Sequence, residues 1–299
     1  MTFQEVRVEP RLGTVRSSDG LNLHTRTWDA PQPVAQVVLV HGYAEHAGRY
    51  GPLAERLAEM GFAVRAFDLR GHGLSEGERA NVRVFRAFVD DLKRVVESLR
   101  EAQPALPRVV FGHSVGGLIA AQFALEHPQL LEGLVLSSPY FSNAVPVSPL
   151  LLRASGLMSR LLPALPTLRL DSARLARDPA VAAASDREPL VYRGGAKARL
   201  GHELLLAGAF VLARASEVRL PLLIVHGEAD GVADPAGSRT FFERSASSDK
   251  TLRLEPEGYH ELFNDHGREA VLEVVRTWLE ARFAASGEAS ESASTPARR

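Results

Sequence analysis

Residues 109–126 read VVFGHSVGGLIAAQFALE, and the fold of the 299-residue chain can be worked out from this stretch. An apolar run leads into the pattern G-x-S-x-G, which precedes a segment with good helix propensity that ends at Glu126. This order predicts a buried strand, a sharp turn and a helix. Glycines two residues before and after Ser114 allow the turn to hold its hydroxyl out at the edge of the sheet. Ser114 is therefore predicted to be a nucleophile, although a glycine-rich turn without a function would match the same pattern.

Short apolar runs of the same kind occur along the rest of the chain, as strands covered on both faces require. They lie at residues 37–40, 63–67, 109–111, 134–136, 222–225 and 252–254. Patterns with helical spacing separate them, at residues 50–59, 85–100, 115–126, 238–245 and 268–283. Strands that alternate with helices predict an α/β fold with a mostly parallel central sheet flanked by helices. One antiparallel strand is expected before them, at residues 21–28, where side-chain character alternates.

The interval between the strands predicted at residues 134–136 and 222–225 breaks this alternation. It contains no convincing buried strand but several helix-like patches and prolines. We predict that residues 140–217 form a helical cap, or lid, over the carboxyl ends of the strands, where open α/β sheets bind ligands. Residues 1–139 and 218–283 then form the core, and residues 284–299, rich in Ser, Ala, Gly and Glu, a disordered tail.

Chain order selects an acid to accompany the serine, because in folds of this kind the acid follows a later strand. The segment after residues 222–225 offers three carboxylates. Asp234 precedes Pro235 and suits the start of a helix, as an N-cap with proline at the first helical position. Glu228 lies close to the end of the strand and is expected to face solvent. Asp230 falls within the turn, where a carboxylate can orient a histidine, and is the favoured acid.

The same order selects a general base from the loop after the last strand. Of the ten histidines in the chain, only His260 and His266 follow Asp230. His266 lies where the terminal helix is expected to begin, with Asp265 as the predicted cap. His260 lies in the loop itself and is the predicted base, which completes a triad of Ser114, His260 and Asp230.

Acyl transfer also requires two preformed donors for the negative charge of the tetrahedral intermediate, usually backbone amides. The residue after the nucleophile, Val115, is expected to supply one. The second comes from the loop after the strand at residues 37–40, in which His41 and Gly42 precede Tyr43. We predict that the amides of Tyr43 and Val115 form the oxyanion hole.

Composition and motifs exclude several other classes of protein. The chain has no cysteine, so it has no disulfide framework, thiolate cluster or cysteine nucleophile. Its 35 basic and 36 acidic residues nearly cancel, which gives no reason to expect nucleic-acid binding. His41 and His46 lack a third ligand, and the glycines at residues 71–77 fit neither the dinucleotide fingerprint nor the P-loop. We therefore expect no metal and no cofactor.

Five blocks of sequence carry a resemblance to a known family. They lie at residues 41–50, 67–75, 112–117, 226–230 and 259–262. These blocks resemble the signature blocks of monoacylglycerol lipases and related lysophospholipases, over residues 15–283 and least across the predicted cap. The resemblance implies the α/β-hydrolase fold, the triad Ser114, Asp230 and His260, and oxyanion donors at Tyr43 and Val115. Tyr43 stands where mammalian members carry a small residue, a difference that bears on substrate size.

The sequence therefore predicts a serine hydrolase that cleaves carboxylic esters of monoacylglycerol or lysophospholipid type through an acyl-enzyme on Ser114. A proline-type aminopeptidase or amidase is one alternative, since such enzymes use the same fold and triad. It requires cap carboxylates to bind a substrate ammonium, and Glu188, Glu203 and Glu217 are available, although scattered. A ligand-binding relative without catalysis is the other alternative.

The predicted cap contains many apolar residues, which bear on whether it contacts a lipid surface. Packing of this face onto the core is the simpler expectation, and its exposure would create a lipid-facing rim. The positions are Leu150, Leu151, Leu152, Leu157, Met158, Leu161, Leu162 and Leu165. Residues 1–13 lack the apolar run of a signal peptide, and no stretch reaches the roughly 18 apolar residues of a membrane span. We expect a soluble, cytoplasmic protein, with peripheral membrane contact through the cap as a hypothesis.

Overall fold

The computed structural model describes residues 9–144, 148–167 and 169–284, and these residues contain one eight-stranded sheet. The strand order is β1-β2-β4-β3-β5-β6-β7-β8, in which the pairs β1–β2 and β2–β4 are antiparallel and the remaining pairs parallel. The strands are β1 (Arg11–Arg16), β2 (Asn22–Trp28), β3 (Ala35–Val40), β4 (Phe62–Phe67), β5 (Arg108–His113), β6 (Gly133–Ser137), β7 (Leu222–Gly227) and β8 (Lys250–Glu255). The predicted mostly parallel α/β sheet is confirmed.

Helices cover both faces of the sheet. They are α1 (Gly51–Glu59), α2 (Arg86–Ala102), α3 (Val115–Glu126), α4 (Pro149–Leu161), α5 (Pro179–Arg187), α6 (Ala198–Arg214), α7 (Pro235–Arg244) and α8 (Arg268–Phe283). One apolar core contains residues of α2, α3, α6 and α7, and the other contains residues of α1 and α8. Successive residues of β3 contribute to opposite cores, with Val38 in the first and Val37 in the second. Burial on both faces explains why this strand is a continuous apolar run.

Two features of the elements differ from the sequence predictions. Strand β1 was not predicted, because its side chains are mostly exposed and show no apolar alternation. Asp265 does not cap the terminal helix: Gly267, at a φ of 84°, occupies that position. The Asp265 carboxylate instead accepts hydrogen bonds from Arg177 Nε at 3.1 Å and from the amide of Asp178 at 3.1 Å. These hydrogen bonds connect the loop before α8 to the segment before α5.

The region predicted to be a cap contains α4, α5 and α6 between β6 and β7, and its described residues contain no strand. Helix α6 packs on the core through Leu204 and Val211, which are buried. Leu157 and Leu161 on α4 are 61% and 68% exposed. The side chains of Leu150, Leu151 and Leu152 lie outside the described residues, as does the predicted tail beyond Ala284. Within the described chain, no helix combines the length and apolar character that spanning a bilayer requires.

Candidate active site

The turn that carries Ser114 is built by strand β5, helix α3 and the glycines between them. Ser114 has φ 53° and ψ −120°, a backbone conformation that side chains disfavour. A Cβ on Gly112 would lie 2.4 Å from the Gly116 carbonyl oxygen, and one on Gly116 would lie 2.1 Å from the Val40 carbonyl oxygen. Glycine is therefore required at both positions, because α3 begins directly against strands β3 and β5.

The three residues of the predicted triad lie at the carboxyl ends of the strands. Hydrogen-bonding contacts connect Ser114 to His260 and His260 to Asp230. The His260 Nε2 lies 2.8 Å from the Ser114 Oγ, and its Nδ1 lies 2.7 Å from the Asp230 Oδ2. All three side chains are buried. A neutral ring in this position donates its Nδ1 proton to Asp230 and can accept the serine proton at Nε2. The arrangement has the geometry of a base-activated nucleophile.

Four donors fix the Asp230 carboxylate. Its Oδ1 accepts the amides of Val232 at 2.7 Å and Ala233 at 3.0 Å, and its Oδ2 accepts from His226 Nε2 at 3.1 Å as well as from His260. Burial by itself would raise the pKa of Asp230, but the charges and hydrogen bonds of His260 and His226 hold it well below its usual range. The sequence gives no signal for the role of His226, which depends on its position four residues before Asp230 at the end of β7.

The surroundings of His260 favour its protonated form. Burial lowers its pKa, but the negative charge and hydrogen bond of Asp230, with further attraction from Glu261, raise the pKa above the ordinary histidine value. The ring of His113 lies beside it, with 4.8 Å between the ring centroids. Burial lowers the pKa of His113 to about 3, so this neighbour stays neutral. His260 can therefore accept a proton, because its surroundings stabilise the protonated ring.

The two amides predicted as oxyanion donors belong to Val115, which directly follows Ser114, and to Tyr43, which directly follows Gly42. Val115 is the first residue of α3, and in the described part of the chain neither its N–H nor that of Tyr43 has a protein acceptor. A Cβ on Gly42 would lie 3.0 Å from the Ser114 Cβ, so the loop that carries Tyr43 approaches the nucleophile closely. The Gly42 N–H donates to the Glu45 Oε1 at 2.6 Å, which fixes that loop.

The other residues considered for the acid and the base, all of them described, form no hydrogen bond to Ser114 or His260. Glu228 is exposed and pairs with Arg239. Asp234 caps α7, as predicted, by accepting the Ala236 amide at 2.9 Å. His266 is exposed and donates its amide to the Asp265 carboxylate. The side chains of Glu228 and Asp234 therefore have partners outside the site, and that of His266 is exposed.

His41 and His46 stabilise the loop after β3. His41 accepts the Leu69 amide at Nε2, at 2.8 Å, and its Nδ1 lies 2.7 Å from the Gly42 carbonyl oxygen. His46 accepts the Gly48 amide at Nδ1, so its Nε2 carries the proton and donates to Glu188 at 2.5 Å. Among the described residues, no group of three His, Asp or Glu side chains is arranged to hold a metal ion.

Comparison with known proteins adds a second line of observation. Residues 31–267 match the family described as serine aminopeptidase, S33. The monoacylglycerol lipase of Mycolicibacterium smegmatis is 39% identical over 247 residues, which cover 83% of this chain and 88% of the relative. The monoglyceride lipase of Mus musculus is 36% identical over 91% of each chain. The crystal structure of the Paleococcus ferrophilus monoacylglycerol lipase matches with a TM-score of 0.79 and 31% identity, covering 87% of this chain and 98% of that one.

Proposed function

This chain belongs to the serine aminopeptidase S33 family of α/β-hydrolases and is a carboxylic ester hydrolase, and we propose that it cleaves monoacylglycerols through an acyl-enzyme on Ser114. The observation that carries the proposal is the series of contacts from Ser114 Oγ to His260 and from His260 to Asp230, at 2.8 and 2.7 Å. The names of the relatives supply the substrate class.

In the proposed mechanism, His260 Nε2 takes the Ser114 proton as Oγ attacks the ester carbonyl. Asp230 holds the ring in the tautomer this step requires and stabilises the imidazolium that forms. The amides of Tyr43 and Val115 donate to the oxyanion of the tetrahedral intermediate. His260 then gives its proton to the departing glycerol oxygen, which leaves the fatty acyl group on Ser114. A water molecule, deprotonated by the same ring, hydrolyses that ester and releases the fatty acid.

The three glutamates of the predicted cap that could bind an ammonium group argue against an aminopeptidase. Glu188 accepts hydrogen bonds from His46 and Arg49, and Glu203 accepts the Phe85 amide at 2.8 Å. Glu217 pairs with Arg214 at 2.6 Å. An aminopeptidase needs a carboxylate free to bind the substrate ammonium, and all three are already engaged. This favours an ester of a neutral alcohol as the substrate.

We further propose that the cap contacts lipid surfaces while the protein works from the cytoplasm. Leu157 and Leu161 of α4 are exposed, and apolar side chains in such positions suit insertion among acyl chains. Residues 140–217 contain ten Lys and Arg against six Asp and Glu, and this positive excess favours anionic lipids. Such contact would bring the enzyme to its substrate.

Two measurements test the proposed function. Wild-type protein should react covalently with a fluorophosphonate probe, and Ser114→Ala should abolish the labelling. Hydrolysis is then compared across monoacylglycerols of graded chain length, lysophosphatidylcholine, p-nitrophenyl esters and a proline amide. Monoacylglycerols should give a higher kcat/KM than lysophosphatidylcholine and the proline amide, whereas the p-nitrophenyl esters, with their activated leaving group, show only that esters are turned over. An unlabelled wild type, or a preference for the amide, would overturn the proposal.

A further inference from the structure

A buried ionic cluster lies beside the triad and joins three distant segments of the chain. Arg49 donates from Nη2 to Glu261 at 2.6 Å and from Nη1 to Glu188 at 3.4 Å, and its Nε lies 3.2 Å from a Glu45 carboxylate oxygen. The side chain of Arg49 is only 8% exposed. One guanidinium therefore faces three carboxylates, each on a different segment.

Two of these carboxylates belong to loops that form the proposed reaction centre. We define the oxyanion loop as residues 41–46 and the base loop as residues 257–261. In the oxyanion loop, Glu45 Oε1 accepts the Gly42 amide at 2.6 Å and the Tyr50 hydroxyl at 2.7 Å. In the base loop, Glu261 directly follows His260 and also accepts from Asn264 at 2.8 Å. Arg49 is thus in direct contact with both loops.

The third carboxylate, that of Glu188, belongs to the predicted cap. Backbone hydrogen bonds also connect the predicted cap to both loops. The Tyr192 amide donates to the Ala44 carbonyl oxygen at 2.7 Å, in the oxyanion loop. The Glu261 amide donates to the Leu175 carbonyl oxygen at 2.7 Å. Glu188 adds its hydrogen bonds with His46 and Arg49. The predicted cap therefore contacts each loop through the backbone and the Arg49 cluster through one side chain.

We infer that Arg49 is a positioning residue that fixes the oxyanion loop relative to the base loop, and that Glu188 extends this alignment to the cap. The inference rests on the proposed function, because it assigns Arg49 a task in that reaction. Arginine suits this task, since its planar group presents several donors in fixed directions, whereas a lysine ammonium is a single point. A displacement of about 1 Å between the serine, the base and the oxyanion donors is enough to slow such a reaction substantially.

A merely stabilising ion pair is the competing explanation, because loss of one partner of a buried pair is destabilising by itself. The decisive measurement is kcat per active site, with active sites counted by the fluorophosphonate reaction. For Arg49→Met and Arg49→Lys on a short p-nitrophenyl ester, we expect kcat per site to fall roughly ten- to a hundredfold, with the smaller loss for lysine and little change in KM. Fewer sites, each with wild-type kcat, would overturn the inference.

The pH profile provides a readout that a stabilising role would not move. Glu261 and Glu45 both raise the pKa of His260, as Asp230 does, and the nearby His113 is neutral. Removal of Arg49 leaves these carboxylates uncompensated, so the acid limb of kcat/KM should move to higher pH. Glu261→Gln should move it to lower pH. Profiles that coincide with that of the wild type in both variants would contradict the inference.

Glu188→Gln tests the extension to the cap without disturbing the contacts of Arg49 with the two loops. Its matched control is Glu78→Gln, which removes another ion pair with the region 140–217, Glu78 to Lys197 at 3.0 Å, between two residues that belong to neither loop. We expect Glu188→Gln to lower kcat per site severalfold and Glu78→Gln to leave it unchanged. Equal effects would overturn the role of Glu188. An inactive, unlabelled wild type would instead refute the proposed function, so the two failures are distinguishable.

Discussion

At the residue scale, the glycines around Ser114 meet a steric requirement that Gly201 does not. A Cβ on Gly116 would lie 2.1 Å from a backbone oxygen of β3, whereas one on Gly201, in α6, has no heavy atom within 4 Å. Gly116→Ala should therefore lower the free energy of unfolding by about 3 kcal/mol or prevent folding. Gly201→Ala should raise it by about 0.5–1 kcal/mol, since alanine has the higher helix propensity. Urea denaturation measures both, and equal effects would contradict the steric argument.

The residues of the proposed triad should act as a unit. Ser114→Ala and His260→Ala should each lower kcat about 10⁴-fold or more, and the double variant should be no worse than either. Asp230→Asn should also cost about 10⁴-fold, because it favours the wrong tautomer of the ring and because Glu228 and Asp234 already have other partners. Steady-state kinetics on a p-nitrophenyl ester measure all four variants. Additive losses would indicate that the side chains act separately.

The protonation of His260 sets the expected dependence of rate on pH. Only the neutral ring can accept the serine proton, so kcat/KM should rise as His260 loses its proton. Because Asp230 and Glu261 raise the pKa of His260, the midpoint should lie above the ordinary histidine value of about 6.5. Initial rates across buffers of constant ionic strength measure this limb. A rate that is flat between about pH 5 and about pH 8 would exclude His260 as the base.

The sequence was sufficient to select Ser114, Asp230 and His260, because each has a position defined by chain order and by a neighbouring strand. Arg49 could not be selected in this way. Its partners Glu188 and Glu261 lie 139 and 212 residues further along the chain, and no local pattern links them to it. Ion pairs of this kind depend on how distant loops pack, which a motif does not encode.

At the element scale, burial decides which strands and helices can be predicted. Strand β3 was recognisable because apolar cores cover both of its faces, whereas the exposed edge strand β1 carries no such signal. The residue before α8 also differs from the prediction, because Gly267 and not Asp265 occupies the cap position. An aspartate before a helix suggests a cap, but tertiary contacts with Arg177 and Asp178 occupy the Asp265 carboxylate.

Helix α4 carries the element-scale prediction. Leu157 and Leu161 are 61% and 68% exposed, so their replacement should change stability by less than about 0.5 kcal/mol. We expect wild-type protein to sediment with anionic liposomes and Leu157→Ser/Leu161→Ser to remain mostly in the supernatant, with unchanged fluorophosphonate labelling. Recovery of the wild type entirely in the supernatant would refute membrane docking. Leu12→Ser, at an exposed leucine of β1, is the control.

At the scale of the whole molecule, buried neutral histidines make stability depend on pH. Burial lowers the pKa of His72 and of His113 to about 3 and also lowers that of His41. Below about pH 6.5 the unfolded chain binds protons at these positions that the folded chain does not, so stability is lost as pH falls. His260 has the opposite sign, because its raised pKa contributes stability below its unfolded value. Desolvation also lowers the pKa of the partly buried His24 and His127, so five groups against one leave a net loss on acidification.

The free energy of unfolding should therefore decline between about pH 6.5 and about pH 4, before most carboxylates titrate, with each buried histidine contributing at most about 1.4 kcal/mol per pH unit. Urea denaturation at several pH values measures this slope. His72→Gln removes one contributor while keeping a donor for the Arg70 carbonyl oxygen, which lies 3.0 Å from His72 Nδ1. The dependence of unfolding free energy on pH should then be less steep by the contribution of one histidine, whatever the variant's stability at neutral pH. Since a slope is compared, general destabilisation cannot mimic the result, and an unchanged slope would mean that His72 titrates alike in both states.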